Sequence, residues 1–322
     1  MDLRPTRRVK GPLAVAKRIV DLFYAPGELP PPSPAHTVHL RLVTISVSHY
    51  CEKARWGLEL LKPPYYYTED AHAPGLHTLF SVIDEKSATP LVILPDGSQL
   101  RGSDTILRSL LPSLYPEEIR DKIEAFEEEC GRRVGATLRC HAYHILLQHP
   151  DLLVQHACRI VPSIERTLFQ KMLPNGAEKI MRKSMTIDES SAEISAQELR
   201  AYFAEISDRL KPGQQYLMDT KDKSYGFTAA DLTFAALAQP YLNPPELSDV
   251  GLAVDAWPSE LRAMADELKA TKAGAFALEI YRKHRPTVNG KAPLRTKEIH
   301  KRPLLKAGVA VVGAIVVWKL LF

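Results

Sequence analysis

The chain has 322 residues, 45% hydrophobic and 25% charged, with a formal net charge of +4. That is apolar material for one large or two ordinary cores, and it excludes a disordered or fibrous chain. Four cysteines, Cys51, Cys130, Cys140 and Cys158, are too few and too irregularly spaced for a disulfide framework, which points to a reducing compartment.

The charge is gathered at the two ends. Residues 1–20 carry six basic side chains against Asp2, and residues 282–322 carry four Arg and six Lys against Glu298. Basic ends on an acidic body suggest contact with a membrane surface or a targeting machinery, and no nucleic-acid motif is present.

In chain order, "GPLAVAKRIVDLFY" puts Leu13, Ala16, Val20 and Phe23 on one face of an amphipathic helix. It reads as an arm or extra helix on the body, or as an organelle presequence. "APGELPPPSPAH", Ala25 to His36, holds five prolines and is an extended linker. Residues 1–37 therefore form a basic arm and linker.

"VHLRLVTISV" alternates apolar and polar positions as a half-buried strand does, and "SHYCEKARWGLELL" then runs at helical spacing, so strand becomes helix at about Ser48. Residues 62–87, with Pro63, Pro64, Pro74 and three consecutive tyrosines, read as a variable link. "LVIL", Pro-Asp-Gly and "SQL" read as a β-hairpin, and Ser103 as the N-cap of a helix carrying Ile106, Leu107 and Leu110. Thr89-Pro90, entering the hairpin, is a place for a cis peptide that exposes the backbone of Thr89.

A proline-bounded linker, "LPSLYPEE", precedes a long amphipathic helix with Ile119, Ile123, Phe126, Cys130 and Val134 on one face. Its later turns gather Arg139, Cys140, His141, Tyr143 and His144. Cys140 and His144 are four apart, but no second pair stands at ligand spacing, so no metal is assigned. In "GFTAADLTFAALAQP", Thr228 and Asp231 form a capping box on a buried helix.

The end, "KRPLLKAGVAVVGAIVVWKLLF", reads as a transmembrane tail anchor over residues 304–322 after a basic linker, 286–303, with Lys306 and Lys319 snorkelling to the headgroups. Its short length and basic flanks fit the mitochondrial outer membrane, with a plastid envelope or another organelle as alternatives.

"SHYCEKARWGLEL", "ATPLVILPDGSQLRGSDTILRSLL" and "YGFTAADLTFAALAQP", in this order from about Val38 to about Tyr281, resemble the cytosolic glutathione transferase superfamily. The resemblance implies an α/β thioredoxin-like N-terminal domain (38–112) that binds glutathione. It also implies an all-α C-terminal domain (117–285) that shapes the pocket of a second substrate.

By position, Ser48 falls where the superfamily places its catalytic side chain, and Cys51 where glutaredoxin-like members have a second cysteine, a possible redox thiol. Thr89-Pro90 matches the cis-proline loop, and Ser103 the serine that holds the γ-glutamyl carboxylate. The acidic residue that commonly precedes that serine is Gly102 here, and Asp104 follows instead. The long helix lines the electrophile pocket in the resembled family, which makes Arg139, Tyr143 and His144 candidates for its wall. A homodimer is the usual assembly.

Ser48 has two readings: a plain N-cap, or a hydroxyl donor to the glutathione thiolate at a helix N-terminus that itself favours the anion. The function expected is conjugation of glutathione to a small electrophile at an organelle membrane. The alternative is a non-catalytic tail-anchored adaptor with the same fold.

Overall fold

A computed structural model describes residues 34–77, 89–247 and 256–286. Among these, strand β1 (Val38–Ile45) leads into helix α1 (His49–Leu60), followed by β2 (Tyr65–His72), β3 (Leu91–Ile93), β4 (Gln99–Arg101) and α2 (Ser103–Leu110). The sheet order is β2-β1-β3-β4. β2 runs parallel to β1, with Val38 opposite Tyr65, while β3 and β4 add antiparallel. This is a thioredoxin-like sheet, as the resemblance implies.

β2 corrects the reading of residues 62–87 as a variable link. Its sequence, YYYTEDAH, places Thr68, Glu69, Asp70 and His72 in the interior, so the strand carries no apolar alternation to find. Partners make that burial tolerable. Glu69 accepts from Thr44 at 2.6 Å and from Arg55 at 2.7 Å, Asp70 accepts from Arg41 at 2.5 Å, and His72 Nδ1 lies 2.8 Å from Glu165.

The second correction concerns α2. Its N-cap is Gly102, at φ +80°, and Ser103 is the first helical residue. A positive φ at the strand-to-helix corner favours glycine, so an acidic side chain would be strained there. Asp104 is the acidic residue of the first turn instead.

The helical half comprises α3 (Arg120–Cys130), α4 (Thr137–Leu146), α5 (Pro150–Ala157), α6 (Ser163–Met172), α7 (Glu178–Met185), α8 (Glu189–Arg209), α9 (Ala229–Leu242), α10 (Ser259–Lys269) and α11 (Lys272–His284). The long helix expected from the sequence is α3 and α4 joined by a widened π turn, Gly131–Ala136, and Ile119, Ile123, Phe126, Cys130 and Val134 are all buried. α9 is buried on nearly every side. Its capping pair is present, with the Thr228 N–H and hydroxyl both donating to Asp231 at 2.9 Å, and the same carboxylate accepts the Leu217 N–H at 2.7 Å.

α1 joins the two halves. Trp56 is fully buried, lies 4.4 Å between ring centroids from Tyr281, and donates its Nε1–H to the His284 carbonyl at 3.0 Å. Arg285, also buried, donates to Glu52 at 2.9 Å and to Glu59. The chain beyond α11 is thus tied back to the first helix.

Residues 1–33 of the expected arm and linker (1–37), all but Pro286 of the expected basic linker (286–303) and the expected tail anchor (304–322) lie outside the described residues. Among the described residues, no helix is long and apolar enough to cross a membrane.

Candidate functional site

β1 delivers the chain to α1 through Ser48, whose N–H donates to the Ile45 carbonyl at 3.1 Å. Ser48 has extended backbone angles, φ −72° and ψ 123°, and its Oγ accepts the Cys51 N–H at 3.4 Å. It is therefore an N-cap. A hydroxyl has two acceptor sites and one proton, so accepting the Cys51 N–H does not itself use the proton, for which a ligand in the cavity would compete with the Cys51 sulfur. The two readings of Ser48 are compatible.

Ser48 lines a cavity of about 570 Å³ at the seam between the sheet and the helices. Thr89, Arg139 and Tyr143 line the same cavity. The Thr89-Pro90 peptide is cis, as expected. The Gly102 N–H donates to the Pro90 carbonyl at 2.9 Å, so the cis loop and the first turn of α2, with Ser103 and Asp104, are one hydrogen bond apart. Ser103 is buried, and the Asp104 side chain is 48% exposed.

Asp104 is not a loose surface acid. Lys53, buried on α1, pairs with it and with Glu127 at 2.7 Å. Glu127 also accepts from Tyr115 at 2.9 Å and from Arg108 at 3.1 Å. The lysine holds the Asp104 carboxylate at the helix start while leaving it reachable from solvent.

Of the expected site residues, Pro90, Ser103, Asp104, Cys51 and His144 are not among those that line the cavity. His144 does not line the cavity, because its direction from α4 diverges from that of Arg139 and Tyr143; its Nδ1 is buried without a hydrogen-bond partner. Cys51 is fully buried, and burial raises its thiol pKa against the opposing pull of Arg55 and Ser48. A protonated, enclosed thiol does not exchange with disulfides, so the geometry argues against a redox role.

Arg55 is a structural residue, bonded to Glu69 at 2.7 Å and to the Ser46 carbonyl at 3.2 Å.

The site has features that spacing alone did not reveal. His49 and Tyr50, directly after Ser48, clamp the start of α1 to the π turn: His49 Nε2 donates to the Gly135 carbonyl at 3.1 Å and the Tyr50 hydroxyl to the Gly131 carbonyl at 2.8 Å. A π turn releases carbonyls from the helical ladder, which makes them available to side chains. A Cβ at Gly135 would stand 2.2 Å from the Tyr50 oxygen, so only glycine allows this approach.

Burial, and then Arg139, push the His49 pKa down to about 3, so the ring is neutral. Tyr143 is pushed up to about 12 by burial, with Arg139 acting the other way. Leu138, Leu146, Phe169, Met172, Met181 and Met185 supply the apolar wall.

Trp257 and His156 line this cavity and a small neighbouring one of about 30 Å³, room for about one water, that Ser48 also borders. Trp257 Nε1 and His156 Nδ1 are buried without hydrogen-bond partners. These residues come from scattered helices and, for Trp257, the bend ahead of α10, with no local motif, and only the adjacency of His49 and Tyr50 to Ser48 could have flagged any of them.

No family model matches the chain. No curated protein matches it either. Solved structures do resemble it. A glutathione S-transferase of Methylobacterium radiotolerans in complex with glutathione sulfonate is 17% identical, over 81% of this chain and 100% of that one, with a TM-score of 0.40. Glutathione transferase Omega 3C from Trametes versicolor is 13% identical over 82% and 94% of the two chains, with a TM-score of 0.37. Ure2p in complex with glutathione is 15% identical over 77% and 95%, with a TM-score of 0.41. At such identities and TM-scores, the chemistry of the site has to be read from its own geometry.

Proposed function

We propose that the chain binds glutathione and activates its thiol for attack on a small electrophile. The observation that carries this reading is the common cavity of Ser48 and Thr89, whose cis loop is joined to the start of α2, with Ser103 and Asp104, by the Gly102 to Pro90 hydrogen bond. The Thr89 backbone pairs with the cysteinyl part, Ser103 holds the γ-glutamyl carboxylate, and Asp104 takes the γ-glutamyl ammonium in place of the acid missing at Gly102.

The cysteinyl sulfur then lies at the start of α1. A thiol of pKa about 8.5 is mostly protonated at neutral pH, and the unpaired N–H groups of a helix start favour its anion. The Ser48 hydroxyl adds a hydrogen bond to the charged sulfur. The thiol proton leaves to water, the sulfur forms a bond to the electrophilic carbon, and the displaced group departs with the bonding electron pair. The second substrate occupies the apolar part of the cavity.

The body works as a homodimer, held to an organelle surface by the apolar segment 304–322, with the mitochondrial outer membrane the favoured site. The support for anchoring is the uncharged run from Ala307 to Trp318 with its basic flanks. A tail-anchored adaptor without turnover is the second reading, and the observation that favours it is Gly102 at the customary acidic position.

Retention of the full-length protein on glutathione resin, followed by turnover of an activated aryl halide, separates the two. Retention with turnover supports the enzyme, and neither supports the adaptor.

A further inference from the structure

Among the described residues, the cavity lining contains no Asp and no Glu, and its one permanently charged side chain is Arg139. Its histidines do not alter that balance: burial lowers His49 to about 3, and His77 and His156 each to about 4, so all three are neutral at pH 7. Among the described residues, no carboxylate pairs with Arg139. Arg133, less than two turns earlier, holds Glu198 at 2.5 Å, Glu205 at 2.6 Å and Glu129 at 3.1 Å. Of these two arginines, the one that reaches the cavity is the one without an anion among the described residues.

Arg139 is half-buried and shares the cavity with Leu146, Phe169, Met172, Met181 and Met185, so an anionic ligand there meets one cation and an otherwise apolar wall. The planar fork of the guanidinium suits a carboxylate. Methionines adapt to a flexible apolar chain better than to one rigid shape.

We propose that the second ligand of this cavity is an amphiphilic anion, a carboxylate on an extended apolar body, with Arg139 binding the head and the Phe169 and methionine wall receiving the chain. Arg139 thereby sets the substrate class of the site, a step that rests on the transferase reading above. The same carboxylate chemistry could come from the glycine end of glutathione, and the test separates the two sources.

The probes are dodecanoate and dodecanol, titrated into the full-length protein without glutathione. Dodecanoate is expected to bind ten- to a hundredfold more tightly than dodecanol. Arg139→Leu should erase that preference and leave dodecanol binding unchanged, and Arg139→Lys should keep part of it. Glutathione retention should survive Arg139→Leu.

Equal binding of the two probes by the unmutated protein overturns the proposal. So does loss of glutathione retention in Arg139→Leu, which would assign the guanidinium to the glycine carboxylate. If the unmutated protein ignores glutathione yet still prefers dodecanoate, the transferase reading fails while the anion site stands.

Discussion

The Ser48 oxygen accepts the Cys51 N–H at 3.4 Å and keeps its own proton. One side chain therefore caps α1 and also lines the cavity, and its capping and proposed donor roles come apart in different substitutions. Ser48→Ala removes both, with an expected loss of about 1 kcal/mol in stability and a ten- to hundredfold fall in turnover, from one hydrogen bond to a charged group at about 1.5–3 kcal/mol. Ser48→Asp keeps the acceptor and lacks the donor. It should hold the melting temperature and lose turnover, and full turnover in Ser48→Asp would remove the hydroxyl from the chemistry.

Lys53 bridges the N-terminal half, through Asp104, and the helical half, through Glu127. Lys53→Met leaves one buried carboxylate short of a counter-charge, a change that typically costs about 3–5 kcal/mol. Urea unfolding should show that loss, and glutathione retention should weaken as Asp104 loses its anchor. An unchanged urea midpoint would contradict the buried network.

Gly135→Ala places a methyl group where the Tyr50 oxygen now lies. Tyr50 must then leave the Gly131 carbonyl, with an overpacking cost of about 1–3 kcal/mol. Thermal unfolding measures the cost, and a melting temperature equal to the parent's would contradict the clamp.

Burial alone would lower the pKa of His72, but Asp70 and Glu165 outweigh it and raise the ring to about 10. A histidine raised above its unfolded value stabilises fully below about pH 6.5, and that stability is lost as pH rises toward about 10. Stability of the full-length protein should therefore fall across that window, and His72→Gln should flatten the fall. A parallel fall in both proteins would contradict the paired, charged His72.

The parts of the fold that announced themselves were those whose partners lie nearby in the chain. β1, α1, the hairpin and the Thr228 and Asp231 pair follow from alternation, helical spacing and a cap three residues from its partner. Lys53 gives no such sign, because its partners stand 51 and 74 residues away. β2 was hidden for the same reason: interior Glu69, Asp70 and His72 look like a polar link until Arg55, Arg41 and Glu165 are brought to them. In the site, Ser48, Thr89, Arg139 and Tyr143 reach one cavity, and His144 shows that sharing a helix turn does not mean sharing a direction.

The anchoring proposed for residues 304–322 has a direct test. Deleting residues 303–322 should convert a carbonate-resistant membrane protein into a soluble one that still binds glutathione. Full-length protein in the soluble fraction would contradict the anchor.

The central claim is that the site ionises a bound thiol, and thiolate absorbance follows that directly as pH is varied with glutathione saturating the full-length protein. Bound glutathione should ionise below the usual thiol value of about 8.5, and Ser48→Ala should move that midpoint up by about 1–2 units, the equivalent of one hydrogen bond to a charged group. A bound thiol that titrates near 8.5 in both proteins would contradict the account.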